Sequence, residues 1–265
     1  MSLIYSAIVP HAPLLLPSIG KEITEKLQPS IQALEAVNKR LIELDPETIV
    51  MITPRSEVSK SDADVFYIHM PGEYKADFKE FGDLETTMSF TPDHFLADMI
   101  KRTLSEKKLN VQYHSEENLE YDASVPLYYL TKGLKAKIII VHPSLDALKQ
   151  QFKFGKELQK PLQETDKRVA LIASAELSHR LSDLSPAGFW PNAKKFDHDI
   201  IEAMQGKRSR KLMSLNEETL REAQSCGIPA LTVLLGAIDH MKCTPERLAY
   251  DGTIGIGQLT MEYLF

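Results

Sequence analysis

The sequence predicts an α/β protein: a three-layer α/β/α single domain over 1–265, built on a mixed central sheet. Three observations predict it. Short runs rich in β-branched residues read as buried strands, helical patterns alternate with them, and the chain closes on two strand-like segments around a glycine-containing turn.

The strand candidates are LIYSAIV (3–9), TIVMIT (48–53), VFYIHM (65–70), KIIIVH (137–142) and VALIAS (169–174). Near-continuous apolar strands belong in a sheet covered on both faces. Between them, segment 21–44 spaces Ile23, Leu27, Ile31, Leu34, Val37 and Leu41 by three or four, one stripe on one helix face. Pro29 predicts a kink there or a late start. TPDHFLADMIKRTL (91–104) predicts a helix capped by Thr91, with Pro92 at its first position. Segments 144–163, 192–204, 216–225 and 229–241 also read as helices, and Gly227 and Pro229 punctuate the last two at SCGIP. The closing LAYDGTIGIGQLTMEYLF predicts two paired strands, which makes the sheet mixed. With no repeat, low-complexity segment or linker in view, one domain is expected.

Composition narrows the function. Of the residues 43% are apolar and 26% charged, ordinary for a globular chain. The net charge is −6 and no basic stripe appears, so no nucleic-acid partner is expected; KRSRK (207–211) reads as a solvated turn or helix end. Cys226 and Cys243 form no CxxC pair and fit a reducing compartment. LIYSAIV lacks a basic flank and stops at Pro10, unlike a signal peptide. No run approaches the ~20 apolar residues of a membrane span, so a cytoplasmic protein without a membrane partner is expected.

In α/β sheets, ligands bind beyond the carboxyl ends of the strands. Strand 3–9 runs into His11, which follows Pro10 and precedes Ala12-Pro13, a stiff backbone able to aim an imidazole. Strand 48–53 runs into Arg55, strand 137–142 ends at His142, and strand 169–174 runs into Glu176, Ser178 and His179. In SAELSHRL (174–181), Glu176 and His179 share a face if a helical turn starts there, and the acid can then orient the imidazole. The plain alternative is a surface ion pair among Glu176, His179 and Arg180. His69, His94, His114 and His198 read as loop, helix-turn, strand-end and solvated-helix residues.

VPHAPLLLPSIG, SVPLYYL, SAELSHRL, the SCG before an apolar helix and YDGTIGIG occur in a set order. With them the chain resembles the LigB-like family of class III extradiol dioxygenase subunits, which includes the Memo proteins, over nearly its whole length. The resemblance implies a three-layer α/β/α fold and a non-haem Fe²⁺ centre held by two histidines and a carboxylate. It also implies a further histidine that moves protons during opening of a catechol-type ring. Residue by residue, His11 matches the first metal ligand and His179 the acid/base histidine. Arg55 stands where the second histidine ligand is expected, and Cys226 where the carboxylate is, as in Memo-like members. The Asp-His-Gly that family members often show a few residues before VPL reads Glu120, Tyr121, Asp122 here, so that histidine is lost as well. The family's dimers imply a homodimer.

These departures have chemical consequences. A guanidinium offers no lone pair to a metal, and a thiolate with one imidazole suits Zn²⁺ or Cu²⁺ better than Fe²⁺. Glu222 is the nearest carboxylate in sequence to the Cys226 position, and His142 is a further candidate ligand. Arg55, with His142 and Tyr121 as candidate substrate-binding partners, could instead receive an anion. Two readings follow. One is a metal-dependent dioxygenase acting on an aromatic small molecule, with His11 and Cys226 on the metal and His179 and Glu176 catalytic. The other is a Memo-like protein with a degenerate iron site, or no metal, that binds an anionic small molecule or peptide.

Overall fold

A computed structural model describes residues 2–54, 63–145 and 147–265. Arg55 lies outside the described residues. The elements in order are β1 (Leu3–Val9), α1 (Pro17–Gly20), α2 (Ile23–Lys26), α3 (Gln28–Leu44), β2 (Thr48–Ile52), β3 (Phe66–His69), β4 (Tyr74–Phe78) and β5 (Asp83–Phe90). There follow α4 (His94–Glu106), β6 (Val111–His114), α5 (Tyr121–Leu130), β7 (Lys137–His142), α6 (Leu148–Glu164) and β8 (Val169–Ser174). The chain ends with α7 (Ala193–Gln205), α8 (Ser209–Met213), α9 (Glu217–Ala223), α10 (Ile228–Ala237), β9 (Thr244–Asp251) and β10 (Gln258–Leu264).

Among the described residues, eight strands form one sheet in the order β6-β3-β7-β2-β8-β1-β10-β9. Its middle, β7-β2-β8-β1, is parallel. The β3–β7 and β1–β10 pairs are antiparallel, so the sheet is mixed. Alternate residues of the central strands face opposite cores. Ile8, Val50, Ile52, Val141 and Leu171 pack with Ile100, Phe154, Leu158, Leu231 and Leu234 of α4, α6 and α10. Ala7, Val9, Ile49, Met51, Ile140 and Ile172 pack with Leu34, Val37, Leu41, Leu127 and Leu130 of α3 and α5. Two cores around one sheet give the three layers.

The structure adjusts several boundaries. Segment 21–44 is not one helix: α2 ends at Lys26, and α3 begins afresh with Pro29 in its first turn. The fourth helix begins at His94 rather than near Thr91, because the Asp93 carboxylate accepts the Leu96 N–H and caps it. The helix expected from 144 starts at Leu148. No helical turn forms at Glu176–His179; that stretch continues extended from β8, with Glu176 bridging Gln258.

Asp93 does more than cap. Its carboxylate also accepts Thr48 Oγ1–H at 2.6 Å and pairs with Lys167. Burial alone would raise its pKa, but Lys167, Thr48 and the Leu96 N–H outweigh it and hold the carboxyl below its usual range. Because the folded value lies below the unfolded one of about 3.9, this stabilisation is complete above about pH 4 and fades as pH falls through the folded value. Asp93→Ala is expected to cost about 2–3 kcal/mol in denaturant titrations at neutral pH, by losing the cap and stranding the buried Thr48 hydroxyl. Asp93→Asn keeps a capping oxygen, and its stability should vary less with pH on the acid side.

Candidate metal centre

β1 and β8 run parallel with Val9 opposite Ser174, and the Ala175 N–H continues the ladder onto the Val9 carbonyl. Both strands therefore end at one level, with His11 beside Glu176. Cys226 arrives from the turn before α10. Gly227 makes that approach feasible: a Cβ there would meet Ala175 Cβ at 2.6 Å and the Glu176 carbonyl oxygen at 2.7 Å. Its N–H donates to the same carbonyl at 3.1 Å, and Ser225 Oγ donates to it at 2.9 Å. This explains the glycine of SCG by space rather than by torsion.

One donor atom from each of His11, Glu176 and Cys226 lies within 4.8 Å of the others. His11 Nε2 is 3.5 Å from Glu176 Oε2 and 3.5 Å from Cys226 Sγ. His179 Nε2 joins them, 3.2 Å from Glu176 Oε2 and 3.7 Å from Cys226 Sγ. His11 and Glu176 are buried, while His179 keeps some exposure.

Hydrogen bonding assigns the His11 tautomer. Ser174 Oγ donates its only proton to the main-chain carbonyl of Asp122, so it must accept from His11 Nδ1–H, 2.8 Å away. In the neutral ring, Nε2 then carries the lone pair and faces Cys226 and Glu176, as a metal-binding imidazole must. The Asp122 carbonyl is available because Pro126, four residues on inside α5, has no N–H to offer it. Burial lowers the His11 pKa, which favours this neutral form.

Burial would raise Glu176, but His11 and the hydrogen bond from His179 bring it below the usual carboxylate value. The Cys226 thiol is raised by burial and then by the Glu176 charge. Glu176 Oε1 is buried and has no partner among the described residues. An anion and a lone pair facing each other, with an orphaned carboxylate oxygen beside them, form a cradle that a divalent cation satisfies. The N, O and S donors suit a borderline ion. The residues therefore fit a metal.

The remaining candidates fall around this cluster or away from it. The ring of Tyr121 meets that of His11 edge-on at 5.9 Å and stands at the rim, half-exposed. Burial and then the Glu176 charge push its phenol up to about 12, so it is neutral. His142 has its nitrogens engaged elsewhere: Nδ1 lies 2.8 Å from Thr53 Oγ1, and Nε2 lies 2.7 Å from His69 Nε2. Glu222 is paired with Arg180 at 2.9 Å, so the carboxylate near the thiol is Glu176 instead. Arg180 accordingly pairs with Glu222 rather than joining Glu176 and His179.

Four supporting residues were not singled out in the sequence. Ser174 and Pro126 fix the His11 ring. Asp197 accepts the Ser178 N–H at 2.8 Å and the Tyr250 hydroxyl at 2.7 Å, and burial pushes it up to about 6. Gly257 exchanges main-chain hydrogen bonds with Leu177 and Ser178, so YDGTIGIG straps the 176–179 segment in place. The signal for Ser174 and Pro126 was their presence inside SAELSHRL and SVPLYYL, motifs noticed for their order rather than their hydrogen bonds.

The fold and this cluster together define a class of protein. The model of the family described as the catalytic LigB subunit of aromatic ring-opening dioxygenase matches residues 5–261, so the chain belongs to the LigB family. It is 27% identical to Protein CA_C1420 of Clostridium acetobutylicum over 273 residues, 99% of this chain and 58% of that protein. It is 23% identical to 3,4-dihydroxyphenylacetate 2,3-dioxygenase of Escherichia coli over 185 residues, 66% of each chain. The chain thus spans less than two thirds of the length of these curated relatives. Its fold is similar to the crystal structure of the uncharacterized protein JW3007 from Escherichia coli K12, with a TM-score of 0.68, 14% identity and coverage of 98% and 99% of the two chains. Among the described residues, no helix is long and apolar enough to cross a membrane.

The hydrogen bond from His11 to Ser174 yields a direct test. Ser174→Ala leaves Nδ1–H without its acceptor and frees the ring to turn. Metal affinity, read by competition with a chromophoric chelator, should fall about 10- to 100-fold, while Ser174→Thr, which retains the hydroxyl, should fall less.

Proposed function

We propose that this protein is a metal-dependent member of the LigB family that opens a catechol-type aromatic ring. The observation that carries the reading is the convergence of His11 Nε2, Glu176 Oε2 and Cys226 Sγ, with His179 Nε2 against the last two. Its family membership and its distant likeness to an extradiol dioxygenase support the reaction class.

A bound divalent metal would supply a Lewis-acid anchor for the two ring oxygens and a path for electrons to dioxygen. His11, Glu176 and Cys226 would hold it. His179 keeps its Nε2 proton against the Glu176 carboxylate, which stabilises the imidazolium when the ring takes a further proton from a substrate hydroxyl. The main-chain N–H of His179 is fixed to the Ala223 carbonyl at 3.1 Å, so the ring has a firm base. Tyr121 offers an aromatic edge at the rim on which a planar substrate can rest.

Cys226 favours a second reading. A thiolate prefers zinc or copper to iron, and such a centre would bind an anionic ligand without opening a ring.

The test is anaerobic reconstitution with Fe²⁺, Zn²⁺ and Cu²⁺ in separate samples, metal quantitation after desalting, and oxygen uptake with a panel of catechols. The wild type should retain iron, and His11→Ala should retain one equivalent less. His179→Ala should keep its metal and lose about 10²- to 10⁴-fold in turnover. Zinc or copper retained without iron and without oxygen uptake selects the second reading. Metal content unchanged by His11→Ala overturns both.

A further inference from the structure

Strand β1 ends just before His11, and its two neighbours in the sheet meet beyond it. Val9 is the last residue of β1 opposite β8, and Ile8 the last opposite β10. Past them, Glu176 bridges Gln258 directly in the antiparallel sense, and the Leu177 N–H donates to the Gly257 carbonyl at 2.7 Å. Residues opposite each other in an antiparallel pair point to the same face, with Cβ atoms about 5 Å apart. The packing agrees: Ala175, Leu177 and Leu259 belong to the core under α4, α6 and α10, so Glu176 and Gln258 turn to the other face. Gln258 is also opposite Asp251 of the edge strand β9, which sets Asp251 on that face as well.

Glu176, Gln258 and Asp251 are each more than nine-tenths buried. Each holds side-chain atoms without a hydrogen-bond partner among the described residues: Glu176 Oε1, both Oε1 and Nε2 of Gln258, and Asp251 Oδ2. Glu176 uses its other oxygen, Oε2, toward His11 and His179, and Asp251 Oδ1 accepts the Thr253 N–H at 2.7 Å. Each carboxylate therefore engages one oxygen and leaves one bare. The side chain between them is a carboxamide with two N–H donors and no acceptor. A buried amide left unpaired costs stability that an apolar side chain of the same size would not. The row of three fits a state in which the amide is paired.

We infer that Gln258 is a positioning residue of the metal centre, donating Nε2–H to Glu176 Oε1 when Oε2 is given to a metal ion, with its second N–H turned to Asp251 Oδ2. The inference rests on the reading of His11, Glu176 and Cys226 as the ligands. No hydrogen bond joins Gln258 to either carboxylate in the structure. Because no bond holds the carboxamide, a change in its side-chain torsions is enough to make one. The consequence falls on Glu176. A carboxylate with a bare second oxygen is free to turn and share both oxygens with an ion, whereas one held by an amide binds through a single oxygen in a set direction. Gln258 is neutral, so it orients Glu176 without cancelling the negative charge that attracts the ion.

The experiment compares Gln258→Met and Gln258→Leu with the wild type in the untagged full chain, with Co²⁺ as the probe. It reads Co²⁺ affinity by competition with a chromophoric chelator, the thiolate-to-cobalt band with the visible d–d bands, and the thermal midpoint of the metal-free protein. Affinity should fall about 10- to 100-fold in both variants. The thiolate band should persist, because Cys226 is untouched, while the d–d bands shift as Glu176 changes its hold on the ion. The metal-free midpoint should not fall, because each substitution removes an unpaired amide. Added to Glu176→Gln, Gln258→Met should lower affinity no further, since its effect runs through that carboxylate. Unchanged affinity in both variants, with Co²⁺ lost in His11→Ala, overturns the inference and leaves the proposed function standing. Lower affinity together with a lower midpoint and a lost thiolate band marks a merely structural role and overturns it too, as does an equal loss in the Glu176→Gln background. A wild type that holds no Co²⁺ removes the proposed function and this inference with it.

Discussion

Pro126 cannot return an N–H to the Asp122 carbonyl, so that carbonyl takes the proton of Ser174, and Ser174 in turn takes that of His11. A helix defect is thereby converted into a fixed imidazole tautomer about a strand's width away. The parallel β1–β8 pairing sets the same arrangement from the other side, because Val9 opposite Ser174 leaves His11 and Glu176 side by side. A slip of one residue in that pairing would turn Ser174 to the opposite face and break both contacts. The pairing is protected by burial: every residue of β8 is buried, and its flanks belong to two different cores.

Much of this architecture was legible in the sequence, and the reasons are physical. The five strands read from continuous β-branched runs are present because a sheet covered on both faces needs apolar residues at every position. The helices with a clear stripe, α3, α4, α6 and α7, face one core each, so their period survives. Elements without a stripe were harder to see. α5 is apolar nearly all round and carries Pro126, and β5 keeps half its residues exposed in a two-stranded hairpin with β4. The start of α4 was misplaced because two residues in TPD can cap a helix, and the choice of Asp93 depended on Thr48 and Lys167, distant in sequence.

The centre followed the same division. His11, Glu176, His179 and Cys226 stand where strand-end logic and the family motifs pointed, and the structure brings all four together. The expected geometry at Glu176 was wrong in detail: the residue reaches His179 from an extended segment, not across a helical turn. Glu222 looked available in sequence because its ion pair with Arg180 crosses from one motif to another. The grouping of His69, His114 and His142 was unreadable, since they come from three strands whose adjacency is a property of the sheet order.

The composition of the donor set constrains the chemistry more than the fold does. Glu176 is held as an anion by its imidazole neighbours, so a divalent cation entering the cluster would need only one further negative ligand to reach neutrality, and the Cys226 thiol is that ligand once it ionises. Burial opposes the ionisation until the cation is present, which couples the thiolate to the metal. Such a site discriminates by charge: without its ion it holds one anion among neutral groups, and with it the buried charge is balanced. The part-exposed His179 lies at the boundary between this interior and the rim where Tyr121 stands, its Nε2 against both Glu176 and Cys226.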